Sequence, residues 1–282
     1  MRIFAALAFV AALAVAQTAH RVEFKCTDDD VQAIGLACND AEPCPVFLEL
    51  SAVEAVGPKL FVTGNLHTDT ATLWSILLAS SDGATWTEPH ARIRNGGLEQ
   101  IQFIDFENGW VGGQLLQGVP RDPFVLVTHD GGKNWRNVSL TEEGRPGTIE
   151  QFWFDSRNSG LLIVDRLHGD ARHEMYESMT GGDSWSLKEV SSKPLALKRS
   201  KPVTNSDWRL RAEAGSKAYR IERKQGSSWA LISTFPVRVG ECRVREATLA
   251  EPEPDTADEQ SKPEPAKPAA RKPTLERKRR PE

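Results

Sequence analysis

Short segments rich in apolar and β-branched residues recur along the chain, separated by polar turns that contain glycine, asparagine or aspartate. Segments of this kind predict β-strands, in which alternate side chains point to opposite faces of a sheet. The predicted strands form four units of four. In residue numbers they are 46–56, 59–63, 72–78 and 85–87; 99–105, 109–113, 123–128 and 134–138; 148–154, 160–165, 173–179 and 184–190; and 195–198, 207–211, 217–223 and 228–234.

In each unit a tryptophan closes a glycine-containing turn between the third and fourth strands. These tryptophans recur at intervals of 44 to 50 residues, and each follows a glycine by three residues. Glycine supplies the positive backbone angle that other residues resist at such a bend. Strand-rich units repeated with this period predict a β-propeller with one blade per unit. The marker residues are Gly83 and Trp86, Gly132 and Trp135, Gly182 and Trp185, and Gly226 and Trp229.

Two further segments, residues 21–25 and 236–249, lie outside the four units. Together they could form a fifth, composite blade with strands from both ends of the domain. We therefore predict an all-β propeller of about five four-stranded blades. A four-bladed propeller with an extra pair of strands, an incomplete ring and a β-sandwich are the alternatives.

Four cysteines, Cys26, Cys38, Cys44 and Cys242, allow three disulfide pairings. A Cys38–Cys44 bridge would close a short loop, and a Cys26–Cys242 bridge would then join the first and last strands, as a closed ring requires. A zinc site is the rival interpretation. The spacing has no C-x2-C pair, and an exported protein favours disulfides.

The two ends of the chain differ in composition from the middle. Residues 1–16 combine one positive charge, an apolar run and a small-residue end, which predicts a cleaved signal peptide and an exported protein. Residues 17–250 are predicted to form the propeller. Residues 251–282 are rich in Pro, Glu, Lys and Arg and predict a disordered tail. Its basic end is a candidate for contact with anionic surfaces, although a solvated spacer is favoured.

The turn of the second unit reads Thr128-His-Asp-Gly-Gly-Lys-Asn-Trp135. It resembles the Asp-box, or bacterial neuraminidase repeat, of the form S/T-x-D-x-G-x-T-W. Asp130 stands at the Asp position of that pattern, and Ser81 occupies the same position in the first unit. The resemblance implies that these residues form structural turns distant from any active site.

Residues 101–113, followed by that turn, resemble the repeat of photosystem II stability and assembly factors. The shared features are a hydrophobic strand, an Asp, a Gly-Trp pair, a strand of small residues and an Asp-box. Those proteins are all-β propellers that act as non-enzymatic assembly chaperones. The resemblance implies a non-catalytic binding or assembly scaffold, without implying a photosynthetic role.

Asp-boxes also occur in sialidases, so a glycoside hydrolase of sialidase-like architecture is the alternative function. Membership of that family would require an Arg-Ile-Pro segment, three arginines that bind a carboxylate, and a Tyr nucleophile assisted by Glu. The chain has no Arg-Ile-Pro segment, and its only tyrosines, Tyr176 and Tyr219, lie in predicted strands. We predict that the protein is not an enzyme and assign no catalytic residue.

The segment His168-Gly-Asp-Ala-Arg-His173 could offer two imidazoles and Asp170 to a metal ion. Its spacing matches no known metal motif, and a polar hairpin loop is the favoured interpretation. No glycine-rich phosphate loop with a following helix is present. We therefore expect neither a metal nor a cofactor.

The formal net charge of −4 gives no reason to expect nucleic acid as a partner. We expect a monomer that binds an envelope protein or a glycan through loops on one face. Candidate partner-binding residues are His67, Asp69, Arg121 and Asp122. Trp110 is a further candidate, although a core position is favoured for it.

Overall fold

The computed structural model describes residues 19–141, 143–198 and 207–243. The predicted signal peptide and the predicted C-terminal tail lie outside these residues. The described part contains one helix and fifteen strands, and this helix is too short and too polar to cross a bilayer. The elements are α1 (Asp28–Ile34), β1 (Cys44–Val56), β2 (Lys59–His67), β3 (Thr72–Ser80), β4 (Gly96–Phe103), β5 (Gly109–Gln117), β6 (Val119–Thr128), β7 (Arg136–Ser139), β8 (Thr148–Phe154), β9 (Gly160–Asp165), β10 (His173–Ser178), β11 (Ser186–Ser191), β12 (Trp208–Glu213), β13 (Ala218–Gln225), β14 (Ser228–Pro236) and β15 (Arg238–Cys242).

The strands form four antiparallel sheets in the described part of the chain. Sheet 1 has the order β15-β1-β2-β3, sheet 2 the order β4-β5-β6-β7, and sheet 3 the order β8-β9-β10-β11. Sheet 4 contains β12, β13 and β14. The protein is therefore all-β and built from mostly four-stranded meanders, the unit from which propeller blades are made.

The prediction of a fifth, composite sheet is wrong for the described residues. Residues 21–25 form no strand, and β15 pairs with β1 at the edge of sheet 1. The cause is Val237, which follows β14: its N–H donates to the carbonyl of Lys217 at 2.9 Å, and its carbonyl accepts from Leu48 N–H at 2.7 Å. The chain thus crosses from sheet 4 to sheet 1 at this residue, and the strand after it extends an existing sheet.

Two predicted outer strands are also absent. Residues 195–198 are not in a strand, and sheet 4 has three strands among the residues that the structure describes. Residues 85–87 contribute only a single bridge, between Ala79 and Thr87. Outer strands pair on one side only, so their sequence carries the weakest pattern.

The first strand of each of sheets 1, 2 and 3 contains a β-bulge at the same place. The unpaired residues are Ser51, Glu99 and Glu150. A bulge inserts one extra residue and redirects its side chain out of the normal alternation. In each of these three sheets, the side chain at the bulge of the first strand is therefore not required to pack in the hydrophobic core.

Three hydrophobic clusters join neighbouring sheets. One cluster packs sheet 4 and α1 against sheet 1, a second lies between sheets 1 and 2, and a third lies between sheets 2 and 3. No fourth cluster of described residues joins sheet 3 to sheet 4. Burial of apolar area therefore stabilises the sheet order 4-1-2-3.

Aromatic contacts repeat at two of these joints. Between sheets 1 and 2, the rings of Phe61 and Phe103 stack with centroids 4.7 Å apart, and Trp135 meets Phe103 edge-on. Between sheets 2 and 3, Trp110 stacks on Phe154 at 3.7 Å, and Trp185 meets Phe154 edge-on. Trp135 also meets Phe61 of sheet 1 edge-on at 6.1 Å, whereas Trp185 contacts Phe154 of its own sheet, whose ring stacks on Trp110 of sheet 2.

The turn of sheet 1 makes the equivalent contact with sheet 4. Trp86 meets Phe235 edge-on at 5.2 Å, and its indole N–H is 3.2 Å from Ser233 Oγ. A Cβ on Gly83 would lie 2.4 Å from Ile232. The close approach of this turn to sheet 4 therefore requires glycine at position 83.

Both disulfides considered from the sequence are formed. Cys26 is bonded to Cys242 and Cys38 to Cys44, and the described residues include no free cysteine. The first bridge ties the segment before α1 to β15. The second closes the loop that leads into β1.

Candidate functional site

The turns at residues 80–86, 128–135 and 178–185, here called the box turns, are held by side-chain hydrogen bonds to their own backbone. In the second box turn, Thr128 Oγ1 accepts from Gly132 N–H at 3.0 Å, and Asp130 Oδ1 accepts from Lys133 and Asn134 N–H at 3.0 and 2.9 Å. Burial opposes ionisation of Asp130, but hydrogen bonds from Asn134 and Thr128 outweigh it and lower the pKa of Asp130 to about 2.

The first box turn uses Ser80 and Asp82, and the assignment of Ser81 to this role is wrong. Ser80 Oγ accepts from Gly83 N–H at 2.8 Å, and Asp82 Oδ1 accepts from Ala84 and Thr85 N–H at 2.8 and 2.7 Å. These backbone hydrogen bonds, with one from Ser80, lower the pKa of Asp82 to about 2. This turn is one residue shorter than the second, so alignment on the tryptophan displaces its aspartate by one position.

The third box turn keeps the geometry without an aspartate. Ser178 Oγ accepts from Gly182 N–H at 2.8 Å, and Thr180 Oγ1 accepts from Ser184 N–H at 2.9 Å. A threonine hydroxyl therefore replaces the carboxylate.

The fourth marker, Gly226 with Trp229, is not a box turn. Gln225 and Ser228 are paired at the end of a two-residue hairpin between β13 and β14, and Gly226 has a φ of 60°. Positive φ at this position is typical of such tight hairpins. Trp229 lies under the guanidinium of Arg209, 4.2 Å from the ring centroid, instead of between two sheets.

A groove of about 700 Å³ opens where sheets 1 and 2 end. Its walls come from the β2–β3 loop, the β5–β6 hairpin and the C-terminal end of α1. Two of the four predicted partner-binding residues, His67 and Asp69, line it. The complete lining is Ala33, Ile34, Glu49, His67, Thr68, Asp69, Thr70, Ala71, Thr72, Asn95, Leu116, Gln117, Gly118 and Pro120.

Polar contacts brace the α1 wall. Thr27 and Asp30 form a capping box at the start of α1, in which each side chain accepts from the other residue's backbone N–H. Asp30 Oδ1 also accepts from the indole of Trp74 on β3 at 3.0 Å. Arg94 pairs with Asp29 and stacks on Trp74. The helix is therefore fixed to sheet 1 without a long hydrophobic face.

The β2–β3 loop is likewise ordered by its own side chains. Thr68 is almost fully buried, and its Oγ1 accepts from Ala71 N–H at 3.1 Å. His67 Nδ1 lies 2.8 Å from the Thr68 carbonyl. A carbonyl oxygen only accepts, so Nδ1 carries the hydrogen, and Nε2 of the neutral ring is an acceptor.

The groove is acidic. Glu49 and Asp69 are the charged residues of its lining, and no lysine or arginine lines it. Next to it, Glu99 accepts a hydrogen bond from Gln114. Burial of the Glu99 carboxyl group and the nearby charge of Glu49 raise the pKa of Glu99, whereas the hydrogen bond from Gln114 lowers it.

A second cavity of about 670 Å³ adjoins the groove and is mainly apolar. Phe47 lines it, and the centroid of its ring lies 5.7 Å from that of His67, which lines the groove. Tyr219, also in its wall, has a pKa raised by burial and by the charge of Glu49. Pro45, Phe47, Ala212, Glu213, Ala214, Lys217, Ala218, Tyr219, Pro236, Val237 and Arg238 line it.

The structure places Arg121 and Asp122 outside the lining of the groove. They pair with each other at 3.3 Å, Asp122 Oδ1 accepts from Gly144 N–H, and Asp122 N–H donates to the Arg145 carbonyl. They therefore brace the loop that precedes β8. Trp110 is fully buried at the joint between sheets 2 and 3, so it cannot contact a partner there.

One cluster contains the residue types of a tyrosine nucleophile and its helper. Tyr176 donates to Glu174 Oε2 at 2.7 Å, and Arg166 contacts both side chains. All three are buried. Burial and the Glu174 hydrogen bond raise the pKa of Tyr176, so the geometry supports a structural network rather than an activated nucleophile.

Sequence reasoning missed several groove and cavity residues, among them Glu49, Asn95 and Phe47. Asn95 is buried with a φ of 57°, and its backbone links β3 to β5 through Leu73 and Leu116. Glu49 and Phe47 are the outward-facing members of an alternating strand, a pattern that most half-buried strands share. No local signal separates them from ordinary surface residues.

Fold and site together define an all-β protein whose blade-like sheets carry an acidic groove at one end. No protein-family model matches the chain, and no curated protein matches it. Among solved structures it is similar in part to YCF48 bound to D1 peptide, at 15% identity and a TM-score of 0.37, covering 67% of this chain and 54% of that one. It is also similar in part to YCF48 from Cyanidioschyzon merolae, at 17% identity and a TM-score of 0.36, covering 67% and 57%.

A third partial match is the GH74 xyloglucanase from Xanthomonas campestris, at 13% identity and a TM-score of 0.36, covering 64% of this chain and 28% of that one. The chain spans little more than half the length of the two YCF48 structures. D1 peptide binding and xyloglucan chemistry are properties of those proteins.

Proposed function

We propose that the protein is an exported, non-catalytic binding or assembly scaffold that recognises a protein or a glycan of the cell envelope. The observation that carries this proposal is the acidic groove between sheets 1 and 2, with its preformed walls. Binding sites are concave, ordered before the ligand arrives, and supplied with a few convergent polar groups. The two disulfides support export, because such bonds persist in oxidising compartments.

The groove has the features of a recognition site for a donor-rich ligand. Glu49 and Asp69 supply carboxylate acceptors, and His67, whose Nδ1 is held by the Thr68 carbonyl, lines the same groove. Hydrogen bonds to ionised acceptors are stronger than neutral ones. The apolar cavity beyond Phe47 offers a second contact for a ligand that extends across both. A segment with a cationic or hydroxyl-rich part and an apolar part fits this arrangement.

Capture from the native envelope fraction tests the proposal. The bait is the mature chain, compared with a His67→Ala/Asp69→Asn variant. The matched control is His168→Ala/Asp170→Asn, which changes the same residue types in the exposed β9–β10 loop outside the groove lining. We expect a reproducible partner that the groove variant loses and the control keeps. Equal capture by all three proteins would contradict groove recognition.

A sialidase-like or other glycoside hydrolase remains the alternative function, and one observation favours it. Glu99, whose pKa is raised mainly by burial, lies near Glu49, and glycoside hydrolysis uses a pair of carboxyl groups at the scissile bond. Hydrolysis of a panel of chromogenic glycosides, with Glu99→Gln for comparison, distinguishes the two functions. Turnover that the Glu99→Gln variant abolishes would replace the scaffold proposal.

A further inference from the structure

Sheet 3 brings an imidazole and two carboxylates together from three neighbouring strands. Glu150 is the bulge residue of β8, Asp165 is the last residue of β9, and His173 is its direct register partner on β10. One ligand atom from each side chain lies within 4.8 Å of the other two. His173 Nδ1 is 3.1 Å from Glu150 Oε2. This cluster lies in a different sheet from the groove.

The corresponding positions in the other sheets carry no such set. Asn65 and Gln114 occupy the place of Asp165, and each donates its amide N–H to a carboxylate, that of Glu49 or of Glu99. The ionised side chain of Asp165 has no N–H to donate. Ser75 pairs with Asn65 as His173 pairs with Asp165. Sheet 3 alone therefore combines two carboxylates and an imidazole at this point of the described repeat.

Asp165 is oriented by its neighbours and keeps one acceptor position. Its Oδ1 accepts from Leu167 N–H at 2.8 Å and from Arg172 Nε at 2.6 Å, and its Oδ2 accepts from Arg172 Nη2 at 2.6 Å. A carboxylate has about four lone-pair sites, so one on Oδ2 is left. Hydrogen bonds of this kind commonly fix a ligating carboxylate.

We propose that Glu150, Asp165 and His173 form a binding site for a divalent transition metal of the Zn²⁺ type. One nitrogen and two oxygen ligands suit borderline dications, and water would complete the coordination. The metal would take the place of the hydrogen between His173 Nδ1 and Glu150. Ligand atoms bound at about 2.1 Å in tetrahedral geometry lie roughly 3.4 Å apart, so the present spacing of up to 4.8 Å needs a contraction of at most about 1.4 Å.

The environment supports a metal at this point. The side chains of His173 and Asp165 are 6% and 9% exposed, whereas that of Glu150 is 32% exposed. Two ligands are thus held rigidly, and the third lies where an ion can enter. Arg172 cancels one of the two negative charges, so a dication would meet a local charge of about −1.

Titration calorimetry on untagged, EDTA-treated mature protein tests the site. We expect one equivalent of Zn²⁺ to bind more tightly than Mn²⁺, and Ca²⁺ to bind weakest, because one ligand is an imidazole. Asp165→Asn and His173→Ser, which install the residues found at the matching positions of sheet 1, should each weaken Zn²⁺ binding at least tenfold. Co²⁺ absorption bands report the coordination directly and should disappear in both variants.

Two control variants separate this site from adventitious binding. Glu99→Gln changes the matching bulge residue of sheet 2, and His168→Ala removes an exposed imidazole five residues from His173. Neither should alter Zn²⁺ affinity, and far-UV circular dichroism confirms that each variant is folded. Absence of stoichiometric binding, an unchanged affinity in the folded His173→Ser variant, or a preference for Ca²⁺ over Zn²⁺ would overturn the proposal.

Discussion

Sheets 3 and 4 are attached to the rest of the molecule in different ways. Sheet 3 is joined to sheet 2 by an aromatic joint, in which Trp110 stacks on Phe154 and the third box turn packs against sheet 2. Sheet 4 continues through Val237 into β15 of sheet 1, and the Cys26–Cys242 bridge fixes that strand. It also receives the first box turn on Phe235. The first attachment relies on packing, and the second adds a shared strand connection and a disulfide bridge.

The difference shows what a box turn does. Each one places its glycine against a side chain of the neighbouring sheet, so a turn is useful only where there is a sheet to receive it. The Gly226–Trp229 hairpin shares the spacing but docks on no neighbouring sheet among the described residues. Repeat arrays are stabilised by contacts between neighbouring units, and the units at the ends are atypical.

The largest expected effect is on the covalent attachment. Replacing Cys26 and Cys242 with serine frees a loop with a sequence separation of 216 residues and should lower the free energy of unfolding by roughly 5 kcal/mol, if loop-closure entropy dominates. The matched Cys38→Ser/Cys44→Ser variant frees a separation of only 6 and should lose roughly 2 kcal/mol. Urea unfolding measures both. Equal losses would show that sheet 4 does not depend on the long bridge.

Truncation of the aromatic joint should come next. Trp110→Ala removes a fully buried indole and its hydrogen bond to the Gly181 carbonyl, so we expect a loss of about 4 kcal/mol. Trp229→Ala removes a partly exposed ring and should cost about 1 kcal/mol. Hydrogen exchange should show faster opening of β8–β10 in the first variant. Similar losses in both would remove the distinction between joint and hairpin.

Glycine substitutions sharpen the same comparison. Gly132→Ala combines a left-handed backbone with a Cβ that would lie 2.5 Å from Phe61, and should lose about 3 kcal/mol. Gly226→Ala has the same backbone handedness but nothing within 4 Å, and should lose about 1 kcal/mol. Thermal unfolding measures the pair. A larger loss for Gly226→Ala would mean that the second turn does not approach sheet 1 as described.

The smallest effect concerns pH. Asp82 and Asp130 have folded pKa values of about 2 against an ordinary value of 3.8 for aspartate, so the unfolded chain binds their protons first on acidification. Their stabilisation is present above pH 3.8 and is lost as the pH falls toward 2. Asp130→Asn should therefore give a shallower decline of stability between pH 4 and pH 2. A slope unchanged in the Asp130→Asn variant would contradict this origin.

The sequence predicted the meanders well and their assembly poorly. The predicted strands at residues 148–154 and 160–165 coincide with β8 and β9, because alternation and glycine turns are local signals. The position of β15 depended on Val237, whose N–H donates to the Lys217 carbonyl and whose carbonyl accepts from Leu48 N–H. No local pattern encodes these two hydrogen bonds. The number of sheets was therefore set by pairing between strands distant in sequence, which the sequence pattern does not reveal.

The site was predicted in part for the same reason. His67 and Asp69 belong to a short polar loop that ends a hairpin, and such loops are recognisable from turn residues. Glu49 becomes part of the groove only because the ends of sheets 1 and 2 meet there. His173 was assigned to one loop with His168, whereas its close neighbours Glu150 and Asp165 come from adjacent strands. Contacts across strands are set by register, not by spacing along the chain.

The repeated bulge of the first strand has a consequence for how such a chain diversifies. The same bulge position is occupied in three successive units by side chains of different chemistry, namely Ser51, Glu99 and Glu150. A bulged side chain escapes the inside–outside alternation, so a substitution there costs little packing energy. The residue at the bulge can therefore change from one unit to the next while the surrounding sheet keeps its structure.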